Sequence, residues 1–152
     1  MIFLCVLAMI FLADYCIKAY VERTKAPNIS ESKCNGKIVI RHTRNYGTAG
    51  GRLKDKPKLV CTLHGLSMLL VSAAYIKLLL SDGNSLLKLA GACLLGGGAS
   101  NLFDRLKKGY VTDYVSFNVP VTSIRRLVFN ISDFFIFAGG IIGVIVSIKD
   151  GM

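Results

Sequence analysis

The stretch "GGGASNLFDRLKKGYVTDYVSF", residues 96–117, joins an apolar run to a basic loop and carries Asp104 and Asp113 at the junction. An ionised aspartate costs about 2.5–3.5 kcal/mol at the centre of a membrane helix, and less near the interface. The chain of 152 residues is 53% hydrophobic, with 19 Lys and Arg against 9 Asp and Glu. Such a composition is typical of one membrane domain whose polar loops touch anionic surfaces. Because no basic helix carries interleaved aromatic residues, no nucleic-acid partner is predicted.

Four apolar runs reach the length of about 20 residues that a helix needs to cross the bilayer core. They predict an all-α membrane fold with four transmembrane helices at residues 2–20, 59–80, 86–106 and 127–148. The first run lacks a basic leader and an A-x-A site, so we interpret it as a retained helix within a single domain covering residues 1–152.

The connections between these helices differ in length. Residues 81–85, "SDGNS", predict a short turn, which makes the second and third helices a hairpin. Residues 21–58 form a polar insert between the first two helices. Within the insert "GKIVIRHTR" predicts a β-strand and "NYGTAGG" a tight turn, so we expect a small β insert.

Cysteine and histidine do not suggest a metal site or a disulfide framework. The five cysteines contain no C-x-x-C pair, and His42 and His64 stand alone in the sequence. We therefore expect neither a metal nor another cofactor.

Aspartates are concentrated at one end of the predicted bundle. Asp14, Asp104, Asp113 and Asp133 all lie within or near the ends of apolar runs, on the side of the two long loops. Ionisable groups in a membrane segment are functional candidates by default.

Three local patterns accompany these acids. Asp14 and Lys18 share one helix face and can form an ion pair. The spacing N-x-x-D occurs at Asn101–Asp104, followed by Arg105, and again at Asn130–Asp133. In each case an amide one turn away can orient the carboxylate.

Two interpretations of the acids remain open. Asp14 and Asp104 have cationic neighbours and can serve as polar contacts between helices. Asp113 and Asp133 have no basic residue within four positions, so we expect them to be each other's partner. Two adjacent carboxylates share one proton, which supplies a base to activate water and an acid to polarise a carbonyl. This is the chemistry of aspartyl peptide hydrolysis, which needs no metal.

At these residues the chain resembles lipoprotein signal peptidase, also called signal peptidase II. "DYCIK" (14–18) is similar to the D-x-x-x-K block of its first helix, and "NYGTAGG" (45–51) to its N-x-G-A-A-F segment. The opening stretch resembles the G-N-x-x-D-R-x-x-x-G-x-V-x-D-F block, and "FNISDFFI" (129–136) resembles F-N-x-A-D-x-x-I. The resemblance covers essentially the whole chain.

The resemblance implies a bacterial aspartic endopeptidase with four transmembrane helices and an extracytoplasmic β insert. It would cut the signal peptide of diacylglyceryl-modified prolipoproteins just before the lipidated cysteine. Asp113 and Asp133 match the catalytic aspartates. The positions that match substrate-binding or supporting residues are Asp14, Lys18, Asn45, Gly47, Asn101, Asp104, Arg105 and Asn130.

The chain departs from the family motifs at five positions, none of which is a catalytic aspartate. Tyr15 stands where Gln is usual, Thr48 replaces Ala, and Gly50 replaces Phe. Tyr114 replaces Phe directly after the first catalytic aspartate, and Ser132 replaces Ala directly before the second.

The family topology places both termini in the cytoplasm and the active site near the outer face of the cytoplasmic membrane. A positive-inside count argues for the reverse, because residues 21–58 hold ten Lys and Arg against three acids. We expect the family topology, with the basic insert held against anionic phospholipid by roughly 1 kcal/mol per cation. The resemblance also implies inhibition by globomycin-type compounds, and we expect a monomer.

Two other functions remain open. A proton-coupled transporter would also carry intramembrane acids, but it would distribute them through the depth of the membrane. A non-catalytic relative that only binds lipoprotein precursors is compatible with the altered "NYGTAGG" segment.

Overall fold

The computed structural model describes residues 1–27, 29–82 and 84–149; Asn28 of the insert and Gly83 of the predicted turn lie outside the described residues. Among the described residues, four helices are long and apolar enough to cross a membrane. They are α1 (Ile2–Thr24), α2 (Pro57–Leu80), α3 (Ser85–Lys108) and α5 (Ile131–Lys149). A short helix, α4 (Thr122–Arg125), precedes α5. The predicted all-α membrane fold with four spans is confirmed.

A small antiparallel sheet lies against the end of the bundle. In the described part of the chain its strands are β1 (Ser30–Lys33), β2 (Ile38–Asn45) and β3 (Val111–Phe117), in the order β1-β2-β3. The first two strands come from the insert, where a small β element was expected; "GKIVIRHTR" predicted β2, whereas β1 was not predicted. The third strand comes from residues 107–126, between the third and fourth predicted helices, where no strand was predicted, so the sheet joins both long connections.

The fourth predicted helix starts later than expected. We predicted a start at residue 127, but α5 begins at Ile131. Phe129 instead pairs with β3: its carbonyl accepts from the backbone N–H groups of Tyr114 and Val115, both at 2.8 Å. Pairing of Phe129 with β3 therefore delays the start of the helix to Ile131, although residues 127–129 are apolar enough for a helix.

Helix α3 is the centre of the bundle and packs against α1, α2 and α5. Three consecutive glycines, Gly96, Gly97 and Gly98, point at three different neighbours because successive helical residues are about 100° apart. A Cβ at Gly96 would lie 2.8 Å from the carbonyl oxygen of Leu7 on α1, and one at Gly97 2.6 Å from that of Ser132 on α5. At Gly98 it would collide with the sulfur of Met68 on α2. The missing side chains let all three helices approach α3 closely.

This packing predicts that Gly97→Ala destabilises the protein, although alanine is the better helix former. The new methyl group meets the backbone of α5, and overpacking of this kind typically costs about 1–3 kcal/mol. Thermal unfolding of the purified protein in detergent measures the effect. Gly143→Ala is the matched control, because a Cβ there would meet nothing within 4 Å. Equal melting temperatures for the two variants would contradict the close approach.

Candidate functional site

Asp133 lies in the first turn of α5, where Asn130 caps the helix. The side-chain oxygen of Asn130 accepts a hydrogen bond from the backbone N–H of Asp133 at 3.1 Å. In return the Asp133 carboxylate accepts from the backbone N–H of Asn130 at 3.0 Å. This reciprocal pair is a capping box with aspartate at the third helical position. The N-x-x-D spacing is therefore a helix start that also fixes the direction of the carboxylate.

Asp113 lies in the middle of β3 and is buried. Its register partner on β2 is Thr43, which places Asn45 diagonally across the strand pair. From there Asn45 donates its side-chain N–H to the Asp113 carboxylate at 3.0 Å. The side-chain N–H of Asn130 donates to the other oxygen of Asp113 at 2.8 Å. Asn130 thus contacts both aspartates.

A second amide, Asn101 of α3, completes the link between the two carboxylates. Its side-chain N–H donates to Asp133 at 3.0 Å, and its oxygen accepts from Asn130 at 3.0 Å. The N-x-x-D spacing suggested that Asn101 could orient Asp104, one turn away on α3, and the family resemblance made it a substrate-binding or supporting residue. The structure brings its side chain to Asp133 of α5 and to Asn130, which caps that helix.

The amide of Asn101 is oriented by a buried ion cluster. The ammonium group of Lys18 donates to the Asn101 oxygen at 2.7 Å and pairs with Asp14 at 2.6 Å and with Asp104 at 3.4 Å. Lys18 and Asp14 are 1% and 0% exposed, so the predicted pair within α1 is present and buried. Since the Asn101 oxygen faces Lys18, its N–H group is left to face Asp133.

Asp104 anchors β3 to α3, and among the described residues it forms no hydrogen bond with Asp113 or Asp133. It accepts from the backbone N–H of Thr112 at 3.1 Å and pairs with Lys108 at 2.7 Å. Lys108 also pairs with Glu22 of α1 at 2.7 Å, and Glu22 accepts from the Thr112 hydroxyl. Asp104 therefore positions the strand that carries Asp113.

Arg105 and Gly47 meet at the turn that follows β2. The Arg105 guanidinium donates to the carbonyl oxygen of Gly47 at 2.7 Å. The Gly47 N–H donates to the Asn45 side chain at 3.0 Å, which turns that amide toward Asp113. A Cβ at Gly47 would collide with the carbonyl oxygen of Arg52, so this turn requires glycine.

Both candidate aspartates line a cavity of about 770 Å³ between the sheet and the bundle. One wall is apolar and comes from the chain before α5 and from α5 itself: Leu127, Val128, Phe129 and Phe137. The insert contributes Arg44 and Lys54 to the lining, and Arg105 and Arg126 line the cavity as well. The Arg44 guanidinium lies 5.1 Å from the centre of the Tyr110 ring, which is a cation–π contact.

Burial and the neighbouring negative charge of Asp133 raise the pKa of Asp113 from 3.8 to about 7. The hydrogen bonds from Asn45 and Asn130 and the charge of Lys18 oppose this rise in pKa without cancelling it. Near neutral pH a substantial fraction of Asp113 therefore carries a proton, which an aspartate with an ordinary pKa would have lost. Because the unfolded chain releases this proton near its ordinary pKa, this group makes folding less stable as pH rises between those two values.

In chemical terms the site offers a carboxylic acid and a carboxylate that face one cavity. Within the described ranges, no group of three or more His, Cys, Asp or Glu side chains is placed to hold a metal ion. The arrangement is suited to adding water to a carbonyl group by proton transfer between two acids.

All ten residues selected from the sequence lie in this network, which also contains five residues that were not selected as site residues. These five bind the ion cluster or the strand through side-chain hydroxyl or carboxylate groups: Glu22, Ser100, Thr112, Tyr114 and Ser132. Position next to a selected aspartate was the available signal for Thr112, Tyr114 and Ser132.

Comparison with known proteins identifies relatives along most of the chain. The sequence model of the family described as Signal peptidase (SPase) II matches residues 6–149. A lipoprotein signal peptidase of Moorella thermoacetica is 33% identical over 138 residues, which cover 90% of this chain and 86% of that protein. A lipoprotein signal peptidase of Caldicellulosiruptor bescii is 27% identical over 152 residues, covering 99% of this chain and 93% of that protein.

Solved structures share the fold. A structure described as a bacterial membrane enzyme superposes with a TM-score of 0.84 at 23% identity and covers 98% of this chain and 88% of that one. A second, described in the same words, has a TM-score of 0.81 at 23% identity, with 97% and 93% covered.

The raised pKa of Asp113 is directly measurable. We expect the protonated carboxyl stretch assigned to Asp113 to disappear with a midpoint near pH 7, and to disappear at lower pH in Asp133→Asn, which removes the repelling charge. Infrared difference spectra against Asp113→Asn isolate the signal. A midpoint near 4 in the wild-type protein, or no shift in Asp133→Asn, would show that the two carboxyls do not interact.

Proposed function

The chain belongs to the signal peptidase II family, and we propose that it is an aspartic endopeptidase in which Asp113 and Asp133 form the catalytic pair. Membership of this family implies that the substrate is a prolipoprotein. We propose cleavage of the peptide bond just before the diacylglyceryl-modified cysteine. The relatives favour neither the transporter nor the non-catalytic alternative.

One observation carries this proposal: a strand and a helix start bring two carboxylates to one cavity, where Asn130 is hydrogen-bonded to both. In the part of the chain that the structure describes, no lysine or arginine forms an ion pair with Asp113 or Asp133. The pair therefore keeps a proton to donate, whereas a purely structural acid would be neutralised by a cation, as Asp14 is by Lys18.

The mechanism follows from the proton on Asp113. Ionised Asp133 removes a proton from water, whose oxygen attacks the carbonyl carbon of the scissile bond. Asp113 gives its proton to the carbonyl oxygen, which produces a neutral gem-diol and reverses the protonation states of the pair. Asp133 then protonates the departing nitrogen while Asp113 takes back a hydroxyl proton, and the C–N bond breaks. The pair returns to its starting state, so the cycle consumes only water.

Supporting residues hold this pair in position. Asn101 and Asn130 hold the two carboxylates in relation to each other, and Asn45 orients Asp113 from the insert. Asp14, Lys18 and Asp104 join α1 to α3 and α3 to β3, the elements that support the pair. Arg105 and Gly47 fix the turn above the cavity, where they can contact the substrate backbone.

The cavity walls suggest how the substrate lies. The apolar wall formed by residues 127–129 and Phe137 suits the signal helix and the acyl chains, which enter sideways from the bilayer. The insert would cover the cavity from the aqueous side. We propose that both termini are cytoplasmic and the cavity lies near the outer face of the membrane. We further propose that exposed cations such as Lys33 of the insert contact anionic phospholipid, that the enzyme acts as a monomer, and that globomycin-type inhibitors occupy the cavity.

Replacement of either aspartate tests the proposed chemistry. We expect Asp113→Asn and Asp133→Asn each to lower cleavage of a synthetic diacylglyceryl lipopeptide by at least about 10³-fold, because neither variant can exchange a proton across the pair. Cleavage is followed by mass spectrometry, with a globomycin-type inhibitor as a further control. Asp82→Asn, at an exposed position in the turn after α2, is the matched control and should cleave normally. Wild-type rates in either dyad variant would exclude the aspartic mechanism.

The proposed orientation makes a second prediction about Cys34, which is exposed in the turn between β1 and β2. If the insert faces outward, a membrane-impermeant maleimide should label Cys34 in intact spheroplasts. Cys34→Ser should abolish this labelling while leaving lipopeptide cleavage unchanged. Labelling that requires permeabilised membranes would place the insert in the cytoplasm.

A further inference from the structure

The carboxylate of Asp14 accepts hydrogen bonds from side chains of four elements of the fold: α1, α3, α5 and β3. It is fully buried and forms its ion pair with Lys18 of α1. The same carboxylate accepts from the hydroxyl of Ser100 on α3 at 2.6 Å, from Ser132 on α5 at 2.6 Å and from Tyr114 on β3 at 3.1 Å. Hydrogen bonds to an ionised acceptor are about twice as strong as those between neutral groups.

Two of these donors are direct sequence neighbours of the proposed catalytic pair. Tyr114 follows Asp113, and Ser132 precedes Asp133. In a strand, neighbouring side chains point to opposite faces. Asp113 therefore faces the cavity while the Tyr114 ring points back into the bundle, where its hydroxyl reaches Asp14.

Tyr114 also contacts the start of α5, the helix that carries Asp133. Its hydroxyl oxygen accepts a hydrogen bond from the backbone N–H of Ile131 at 3.0 Å, one of the amide groups that a helix start leaves without a partner inside the helix. One hydroxyl therefore joins β3, α1 and α5. Tyr114 is 5% exposed, so water does not compete for these bonds.

Ser132 makes the same connection from the helix side. It is fully buried where α5 passes close to α3, at Gly97. Its hydroxyl reaches Asp14, whereas Asp133, one residue later, is turned about 100° around the helix toward Asn101. A rotation of α5 that moved Asp133 would have to break the bond between Ser132 and Asp14.

We propose that the hydroxyl groups of Tyr114 and Ser132 are positioning groups for the reaction. Together they connect the segments that carry both catalytic aspartates to one buried carboxylate, that of Asp14. Neither hydroxyl touches the substrate. The Tyr114 hydroxyl prevents Asp113 from moving relative to Asp133, and the Ser132 hydroxyl prevents Asp133 from moving relative to Asp113. The inference rests on the proposed function, because it concerns the geometry of the Asp113–Asp133 pair.

The alternative is that both hydroxyls contribute only to folding. A folding role lowers the amount or the melting temperature of folded enzyme and leaves kcat per folded molecule unchanged. A substrate-binding role raises KM. A positioning role lowers kcat with KM unchanged, because the pair is misaligned only with respect to the transition state.

The experiment compares Tyr114→Phe, Ser132→Ala and the double variant as full-length proteins in detergent micelles, with the diacylglyceryl lipopeptide as substrate. We expect each single variant to lower kcat roughly tenfold at unchanged KM, less than the ~100-fold that a 1 Å misplacement can cost. Removing either hydroxyl loosens the same property, which is the distance between the two carboxyl groups. The double variant should therefore lose little more than a single one, and less than the product of both.

Matched controls remove hydroxyl groups elsewhere. Tyr75→Phe deletes a buried hydroxyl that has no hydrogen-bond partner among the described residues, and Ser67→Ala deletes one that bonds only the carbonyl oxygen of His64 within α2. Both should keep wild-type kcat. Thermal unfolding reports the folded fraction, and if one single variant does not fold, the other still tests the same separation.

The results separate failure of this inference from failure of the proposed function. Wild-type kcat in folded Tyr114→Phe and Ser132→Ala, a rise in KM alone, or losses that multiply in the double variant would each overturn the positioning role. The aspartic mechanism would stand in those cases, provided that the wild-type protein cleaves the lipopeptide and the Asp113→Asn and Asp133→Asn variants do not.

Discussion

The ammonium group of Lys18 lies 1% exposed inside an apolar helical bundle, and the geometry of the candidate site depends on how that charge is satisfied. A buried charge without partners would destabilise the fold by several kcal/mol. Here the partners are Asp14 on its own helix and Asp104, Ser100 and Asn101 on α3. The last contact uses the oxygen of Asn101, so its N–H group faces Asp133. A requirement of stability in α1 thus determines a hydrogen bond at the site.

These contacts are possible only because the helices approach closely. Lys18 reaches the side chains of α3 at 2.7–3.2 Å, and Gly96, one turn before them, has no side chain to hold α1 away. Gly97 does the same for α5 at Ser132. The sequence "GGGASN" (96–101) therefore combines two functions on one helix: its first half brings the neighbouring helices close, and its second half bonds to them.

Features with a short sequence period could be predicted, and features that depend on contacts between distant segments could not. Apolar runs of about 20 residues predicted the four spans to within about four residues, and the insert showed its strand. The start of α5 was misplaced because pairing of Phe129 with β3 overrides local hydrophobicity. The N-x-x-D spacing suggested only Asp104 as a carboxylate near Asn101, because sequence spacing shows which residues share a helix face, not which neighbouring helix that face meets. Tyr114 and Ser132 were recognised as departures from a motif, but their hydroxyls could not be connected to Asp14 without the fold.

The two aspartates come from different kinds of secondary structure, and this explains why so many polar residues surround them. Asp113 belongs to a sheet formed by the two long connections between helices, and Asp133 to a helix that packs against α3. The distance between the two carboxylates therefore depends on how the sheet packs against the bundle, and the sequence around either aspartate does not determine it. Asn130 is hydrogen-bonded to both carboxylates, Asn45 approaches from the insert, and Asp104 holds the backbone of β3. The proposed sharing of a proton depends on this arrangement, because both burial and repulsion between the carboxylates raise the pKa, and a more separated and more solvated pair would lose the proton at lower pH.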